Sequence, residues 1–268
     1  MYLEALGKRV FASTGGKPFD HDRPAVIFLH GSGLDHTFWG LHSRFFAFRK
    51  YAVLVPDLPG HSHSEGPPLT SIEAMADWLH AVVETLDVDD LSLVAHSMGC
   101  LTALEFASRF PQRLRSVSFI ASGLRTPVNP ALIDAAENRP GDAIAMMLSW
   151  GFGTAGHFHQ GPIPGNSMIA SGVRVMRRNV PEQLATDLKA CDAYDNGKNA
   201  AAKVAGPIQV ILAGKDRMAP REAGMELVRH LTDPQVHVIE TSGHILPQEA
   251  PNECRRLLSS FIFEHNPA

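Results

Sequence analysis

Apolar residues in this chain are grouped into short segments of strand length, separated by stretches with helical spacing. The strand-like segments lie at 25–29, 51–55, 91–95, 115–121, 208–212 and 236–239. Short, mostly apolar runs of this kind are typical of strands buried on both faces of a parallel sheet. Helical spacing starts at Ser71 and recurs at 98–109, 221–231 and 252–264. The regular alternation predicts right-handed βαβ units, and therefore a mostly parallel sheet flanked by helices.

Two regions depart from this alternation. Residues 2–14 alternate in short segments broken at Gly7, which predicts a β-hairpin at a sheet edge. Residues 123–206 are rich in Pro, Gly, Met and Asn, contain no convincing strand, and show helical patches at 131–137, 142–150 and 181–190. We therefore expect a core formed by 1–122 and 207–268, with 123–206 inserted as a helical cap across the carboxyl edge of the sheet.

The composition excludes several classes of partner. The formal net charge is −4 and there is no block of Lys or Arg, so we expect neither nucleic acid nor an anionic membrane as a partner. No run approaches the roughly 18 apolar residues of a membrane span, and the first nine residues lack a secretory pattern. The three widely spaced cysteines predict free, mostly buried thiols and a cytoplasmic protein. A homo-oligomer is compatible with the sequence.

The segment 94–99 is the most informative motif. Ser97 lies between the end of a predicted strand and the start of a helix, with the small residues Ala95 and Gly99 two positions away on either side. Small neighbours allow a sharp strand-to-helix turn that exposes a serine hydroxyl beside backbone N–H groups. Taken alone, the segment fits equally well a serine that caps an ordinary helix.

Two further polar residues follow predicted parallel strands. Asp216 comes shortly after the strand at 208–212, and His244 follows the strand at 236–239. Ligands bind at the carboxyl edge of such sheets. A serine needs an imidazole to take its proton, and the imidazole needs a carboxylate to fix its tautomer. Ser97, His244 and Asp216 therefore predict acyl-transfer chemistry.

The ordered set of motifs resembles the α/β-hydrolase fold serine hydrolases. The matching segments, in chain order, are His30-Gly31-Ser32-Gly33, Asp57-Leu58-Pro59-Gly60-His61, Ala95-His96-Ser97-Met98-Gly99, Gly214-Lys215-Asp216 and Ser242-Gly243-His244. Ala95 stands where the family often has Gly, and both residues are small. The resemblance covers all of the chain except the predicted cap.

This resemblance implies a residue-by-residue assignment. Ser97 corresponds to the nucleophile, His244 to the general acid and base, and Asp216 to the carboxylate that orients it. The backbone N–H groups of Ser32 and Met98 correspond to the oxyanion hole. The implied activity is hydrolysis of a small to medium carboxylic ester, a small-molecule substrate, without any cofactor. The same residues leave open a carbon–carbon bond hydrolase, a lactonase, a hydroxynitrile lyase, a perhydrolase or a non-catalytic small-molecule receptor.

Other candidate residues have simpler interpretations. Substrate-binding positions are expected at Gly31, Trp39, Trp150 and Ile245, although Trp39 fits a core position equally well. Asp57 lies among Pro and Gly residues, which favours a carboxylate that ties down its own loop. His157 and His159 have a spacing that can hold a metal, but no third ligand accompanies them in sequence, so no metal site is predicted.

Overall fold

An open sheet forms the centre of the molecule. The computed structural model describes residues 1–88, 91–157, 165 and 167–268. Within these residues, eight strands pair in the order β1-β2-β4-β3-β5-β6-β7-β8. The strands are β1 (Tyr2–Ala5), β2 (Lys8–Ser13), β3 (Ala25–Leu29), β4 (Ala52–Pro56), β5 (Leu91–His96), β6 (Leu114–Ile120), β7 (Ile208–Ala213) and β8 (Gln235–Ile239).

The predicted mostly parallel sheet with an edge hairpin is confirmed. β1 pairs antiparallel with β2 and β2 antiparallel with β4, whereas every pairing from β4 to β8 is parallel. Along β3, Ala25, Ile27 and Leu29 join one hydrophobic cluster, and Val26 and Phe28 join the cluster on the opposite face. Alternate side chains thus fill two cores, which is why the strand is apolar throughout.

Helices cover both faces of the sheet. Those of the core are α1 (Gly40–Ala47), α2 (Ile72–Leu86), α3 (Met98–Arg109), α10 (Arg221–His230), α11 (Leu246–Glu249) and α12 (Pro251–His265). Short 3₁₀ helices span His36–Trp39 and Pro111–Arg113. The strand predicted at 51–55 begins one residue later, because the Tyr51 N–H donates to the carbonyl of Phe46 at the end of α1.

The insertion, defined here as the described residues of 123–206, contains helices and no strand. Its helices are α4 (Pro130–Asn138), α5 (Pro140–Gly151), α6 (Thr154–His157), α7 (Met168–Met176), α8 (Gln183–Ala193) and α9 (Gly197–Ala201). Buried residues of α4, α5, α7 and α8 belong to the same hydrophobic cluster as β3 and α12. The insertion therefore shares its hydrophobic core with the sheet.

A buried carboxylate also connects the insertion to the core. Glu105 of α3 is 4% exposed and accepts hydrogen bonds from the Tyr194 hydroxyl at 2.9 Å and from Asn196 Nδ2 at 3.0 Å. Burial, and next the charge of Glu105, raise the pKa of Tyr194, so its hydroxyl stays protonated and remains a donor.

The remaining sequence predictions for the fold concern thiols and membrane spans. Cys100, Cys191 and Cys254 are free and buried, as predicted. Burial raises the pKa of the Cys100 thiol to about 12, so it behaves as a small apolar residue. Among the described residues, no helix is both long enough and apolar enough to cross a membrane.

We expect Tyr194→Phe to lower the free energy of unfolding by about 1–3 kcal/mol, because it removes one donor from a buried carboxylate. Urea unfolding followed by circular dichroism measures this change. Tyr2→Phe is the matched control, since Tyr2 is 52% exposed and its replacement should change the free energy by less than about 0.5 kcal/mol. Equal effects of the two substitutions would contradict the role assigned to Glu105.

Candidate active site

Ser97 occupies a strained turn between β5 and α3. Its φ is 54° and its ψ is −122°, a conformation that residues with a side chain rarely adopt. The Ser97 N–H donates to the carbonyl of Ile120 at 3.1 Å, which anchors the turn to β6. Among the described contacts, the hydroxyl makes no capping bond to α3. The helix-cap interpretation of the motif is therefore wrong for this side chain.

Small residues make the turn possible. A Cβ on Gly99 would lie 2.7 Å from the carbonyl oxygen of His30 and 2.9 Å from that of Leu29, and both of these atoms belong to the backbone. A Cβ on Gly31 would lie 3.0 Å from Ser97 Cβ. The loop after β3 thus approaches the turn at Ser97 closely. A side chain at position 99 would overlap backbone atoms, and one at position 31 would crowd Ser97 and His96.

The structure brings Ser97, His244 and Asp216 together in one hydrogen-bonded chain. His244 Nε2 lies 2.9 Å from Ser97 Oγ, and His244 Nδ1 lies 2.8 Å from Asp216 Oδ2. Because the carboxylate can only accept, Nδ1 carries the hydrogen and Nε2 of the neutral ring is free to accept from the hydroxyl. His244 is 3% exposed and Asp216 is 9% exposed, so the bond between these two residues is shielded from bulk water, whereas Ser97 is half-buried.

Asp216 is held in its charged form. Burial by itself would raise the pKa of this carboxyl, but His244 and two backbone N–H groups outweigh burial and lower it. The N–H groups are those of Met218 and Ala219, each 2.8 Å from Asp216 Oδ1. A carboxylate in this state can stabilise an imidazolium that forms beside it.

Two residues that sequence reasoning did not single out support the loop around His244. His96 Nε2 donates to the carbonyl oxygen of His244 at 2.9 Å. Burial, and next the proximity of His244, lower the pKa of His96 to about 3, so this ring stays neutral. Glu249 accepts from the N–H groups of Gly243 at 3.1 Å and Gly153 at 2.9 Å. The sequence signals for these two residues are weak. His96 lies inside the 95–99 motif without a role of its own, and Glu249 resembles any acidic residue in the first turn of a helix.

The loop after β3 lies against the start of α3. The Ser32 hydroxyl is 3.4 Å from Met98 Sδ and 3.7 Å from Cys191 Sγ. The two residues predicted for the oxyanion hole are therefore neighbours on one side of Ser97. Met98 is the first residue of α3, where backbone N–H groups lack partners within the helix.

A cavity of about 410 Å³ opens onto Ser97 and His244. Its walls are mostly apolar, with Arg217 among the polar residues, and include Ser32, Met147, Trp150, Leu188 and Met218. Volumes of about 300–1,000 Å³ are usual for small-molecule sites. A smaller void of about 20 Å³ lies between Ser97 and Ile245. A separate apolar cavity of about 360 Å³ shares the wall residues Leu34, Leu148 and Ile245 with that void.

The residues expected to bind substrate are divided between cavity and core. Trp150 lines the cavity at Ser97, and Gly31 and Ile245 line the small void beside it. Trp39 was wrongly expected at the pocket wall, since it has no exposed surface and packs against Phe28 with ring centres 5.2 Å apart. Trp39, the last residue of the 3₁₀ helix at 36–39, belongs to the hydrophobic cluster that contains Val26 and Phe28.

The remaining polar candidates lie outside the catalytic chain. Asp57 is buried and accepts from the backbone N–H groups of His36 at 2.7 Å and His63 at 3.3 Å, in agreement with the loop-tying role predicted for it. His157 Nε2 lies 3.0 Å from the carbonyl of Ser149. His159 falls outside the described residues. In the part of the chain that is described, no cluster of three or more His, Cys, Asp or Glu could hold a metal ion.

A sheet of this topology with Ser, Asp and His at its carboxyl edge defines the class of α/β hydrolases. The model of the alpha/beta hydrolase family matches residues 26–257, and the chain belongs to this family. It is thus a hydrolase of the α/β superfamily.

Individual members of the family differ considerably from this chain in sequence. The chain is 29% identical to the pimeloyl-[acyl-carrier protein] methyl ester esterase of Neisseria meningitidis, over 82% of this chain and 86% of that protein. It is 27% identical to an uncharacterised protein of Mycobacterium tuberculosis, over 91% of this chain and 77% of that protein. The crystal structure of the enol-lactonase from Burkholderia xenovorans superposes with a TM-score of 0.87 at 22% identity, covering 98% of this chain and 99% of that one.

We expect Gly99→Ala to destabilise the protein by about 1–3 kcal/mol, because the new methyl group overlaps two backbone carbonyls that cannot move freely. Gly141→Ala, also within a helix, should be neutral or stabilising by up to about 1 kcal/mol, since nothing lies within 4 Å of its Cβ position. Urea unfolding of both variants gives the comparison. Similar stabilities for the two would show that the approach of the loop to Gly99 is not tight.

Proposed function

We propose that this hydrolase cleaves carboxylic esters through an acyl-enzyme formed on Ser97. The observation that carries the proposal is the hydrogen-bonded chain from Ser97 Oγ through His244 to Asp216. A serine hydroxyl is a weak nucleophile, and this chain supplies both the base and the group that orients it. The strained backbone of Ser97 supports the proposal, because strain of this kind is common at catalytic nucleophiles.

In the first half of the reaction, Ser97 Oγ attacks the ester carbonyl carbon while His244 Nε2 takes the hydroxyl proton. The tetrahedral intermediate then collapses, the carbon–oxygen bond to the alcohol breaks, and the imidazolium returns the proton to the departing oxygen. In the second half, His244 takes a proton from water as the water attacks the acyl group. The acid leaves and Ser97 regains its proton, so the cycle requires neither a metal ion nor an organic cofactor.

The negative oxygen of each tetrahedral intermediate needs nearby donors. We assign this role to the backbone N–H groups of Ser32 and Met98, whose side chains lie 3.4 Å apart beside Ser97. Removing one donor of such a pair typically costs about 10²–10³ in kcat. Glycine at position 31 supports the assignment, because a larger residue would push this loop away from Ser97.

The cavity at Ser97 supports a substrate of small to medium size. A volume of about 410 Å³ and walls such as Met147, Trp150 and Leu188 suit a mainly apolar ester. Since these three residues come from the insertion, we infer that the insertion acts as a cap and selects the substrate. The Neisseria relative is named for a methyl ester, and the Burkholderia neighbour is named for an enol-lactone, which is a cyclic ester.

We expect Ser97→Ala to reduce turnover of a responsive ester by about 10³-fold or more, because a triad without its nucleophile cannot form the acyl-enzyme. Steady-state hydrolysis of a chromogenic ester measures the loss. Ser108→Ala, on the helix that follows Ser97, is the matched control, since the Ser108 hydroxyl bonds only the carbonyl of Glu105 among its described contacts. Turnover of Ser97→Ala within a few-fold of the parent would refute the mechanism.

A substrate panel separates the ester reaction from the other reactions that the same residues support. We expect simple esters varied in acyl and alcohol size to give the highest kcat/KM, ahead of lactones, thioesters, cyanohydrins, peroxide acceptors and carbon–carbon substrates. A single strong non-ester response over a flat ester series would favour the corresponding enzyme instead. Rapid labelling of Ser97 by a serine-directed fluorophosphonate, with slow turnover of every substrate, would favour a receptor.

A further inference from the structure

A second carboxylate–histidine pair lies beneath the insertion, away from the catalytic chain. Asp187 of α8 has no exposed surface, and its Oδ2 lies 3.1 Å from His61 Nε2. Gln183 Nε2 donates to the same oxygen. Asp187 Oδ1 is buried and has no hydrogen-bond partner in the described part of the chain. A buried carboxylate is costly unless it is compensated, so its position calls for an explanation.

The His61 ring lies among polar groups on both sides. His61 Nδ1 lies 3.0 Å from the carbonyl oxygen of Pro59, which can only accept, so Nδ1 carries a hydrogen. His61 Nε2 lies 3.1 Å from Asp187 Oδ2 and 2.6 Å from Gln183 Nε2. Burial alone would lower the pKa of His61, but the charge of Asp187 outweighs burial and raises it. Asp187 therefore favours the protonated form of His61.

The neighbouring histidine is neutral, which is consistent with this assignment. The His30 ring centre lies 4.9 Å from that of His61. Its Nε2 accepts from the N–H of Leu58 at 3.2 Å, which requires a free lone pair. Burial, and next the charge of His61, lower the pKa of His30 to about 4, although Asp57 opposes the shift. His30 therefore stays neutral beside His61.

Asp187 also binds the loop that contains Ser32. The N–H of Gly33 donates to Asp187 Oδ2 at 3.1 Å. Gly33 lies in a turn closed by the Leu34 N–H and the Gly31 carbonyl at 3.2 Å, and its φ is +73°. Ser32 is not among the residues with positive φ. A positive φ at the third residue alone is the signature of a type II turn.

In such a turn the orientation of the central peptide decides the type. Type I and type II turns differ mainly by a flip of the peptide between the second and third residues, here Ser32 and Gly33. A carboxylate accepts an N–H and repels a carbonyl oxygen, so the charge of Asp187 favours the orientation with the Gly33 N–H toward it. The flip would change ψ of Ser32 and φ of Gly33, and thus the shape of the four-residue turn that also carries the Ser32 N–H assigned to the oxyanion hole.

We propose that Asp187, with His61 beside it, is a positioning residue that fixes the turn at 31–34 and thereby the Ser32 N–H assigned to the oxyanion hole. This proposal rests on the proposed function. Asn179 holds the same turn from the other side, because its Nδ2 donates to the Gly33 carbonyl at 2.9 Å and its Oδ1 accepts from Ser62 N at 3.0 Å. Residues of the insertion therefore bind both the N–H and the C=O of Gly33.

Asp187→Asn tests this proposal with little change in shape. The amide can donate as well as accept, so it no longer distinguishes the two orientations of the peptide. We expect kcat for the best ester to fall about 10- to 100-fold, less than the loss of an oxyanion donor, while KM changes less than about twofold. Titration of active sites with the fluorophosphonate gives kcat per folded site, so a lower folded fraction cannot mimic the result.

An inhibitor that forms a tetrahedral adduct provides a second readout. A trifluoromethyl ketone matched to the ester places its oxyanion in the hole, so its Ki should rise about as much as kcat falls. The Ki of the carboxylic acid product should change less than about twofold. Equal kcat per site and equal trifluoromethyl ketone affinity in the parent and in Asp187→Asn would overturn the proposal, as would a rise in KM alone.

Two further variants complete the experiment. Asp192→Asn changes a carboxylate of the same helix that accepts from Val128 N at 2.9 Å, and it should leave kcat within about twofold. If Asp187→Asn does not fold, the double variant His61→Gln/Asp187→Asn removes both charges and should show the same loss of kcat. An inactive parent that does not react at Ser97 would refute the proposed function, whereas an active parent with a fully active Asp187→Asn would refute only the positioning role.

Discussion

The strained backbone at Ser97 is the constraint on which the arrangement of the site depends. A residue with a side chain at φ 54° costs about 1–3 kcal/mol, so the surrounding structure must hold it there. Strand β5 does so because it is paired on both sides, with β3 and β6, up to the turn itself. Gly31 and Gly99 then let the loop after β3 approach the turn closely. The pairing of β5 between β3 and β6 therefore determines the position of the Ser97 hydroxyl.

Much of this could be predicted from local signals in the sequence. Each buried strand is apolar because both of its faces are covered. Ser97 follows β5 directly, and Asp216 and His244 come within three and five residues of the ends of β7 and β8. The position of Ser97, Asp216 and His244 after predicted parallel strands is therefore enough to predict that they lie close together. The carboxyl edge of a parallel sheet brings such residues together whatever their separation along the chain.

The contacts between the insertion and the loops of the core could not be predicted in this way. His61 and Asp187 are 126 residues apart, and Gly33 and Asp187 are 154 apart, on segments with no shared periodicity. Trp39 shows the same difficulty, because its ring packs against Phe28 of β3 in the core and local sequence does not distinguish this position from the cavity wall. In each case the orientation of a side chain depends on the packing of another segment, and single-sequence patterns do not encode it.

In the described part of the chain, two carboxylate–histidine pairs have both side chains buried, and the atoms around the far ring nitrogen give them different capacities. In the pair of Asp216 and His244, Nδ1 donates to the carboxylate and Nε2 faces a hydroxyl that can give up its proton. In the pair of Asp187 and His61, Nε2 lies 3.1 Å from the carboxylate and Nδ1 donates to the carbonyl of Pro59. Among its described contacts the His61 ring faces no hydroxyl that could give up a proton, whereas the carboxylate of this pair accepts the Gly33 N–H. The same two residue types are therefore arranged for proton transfer at one site and for electrostatic positioning at the other.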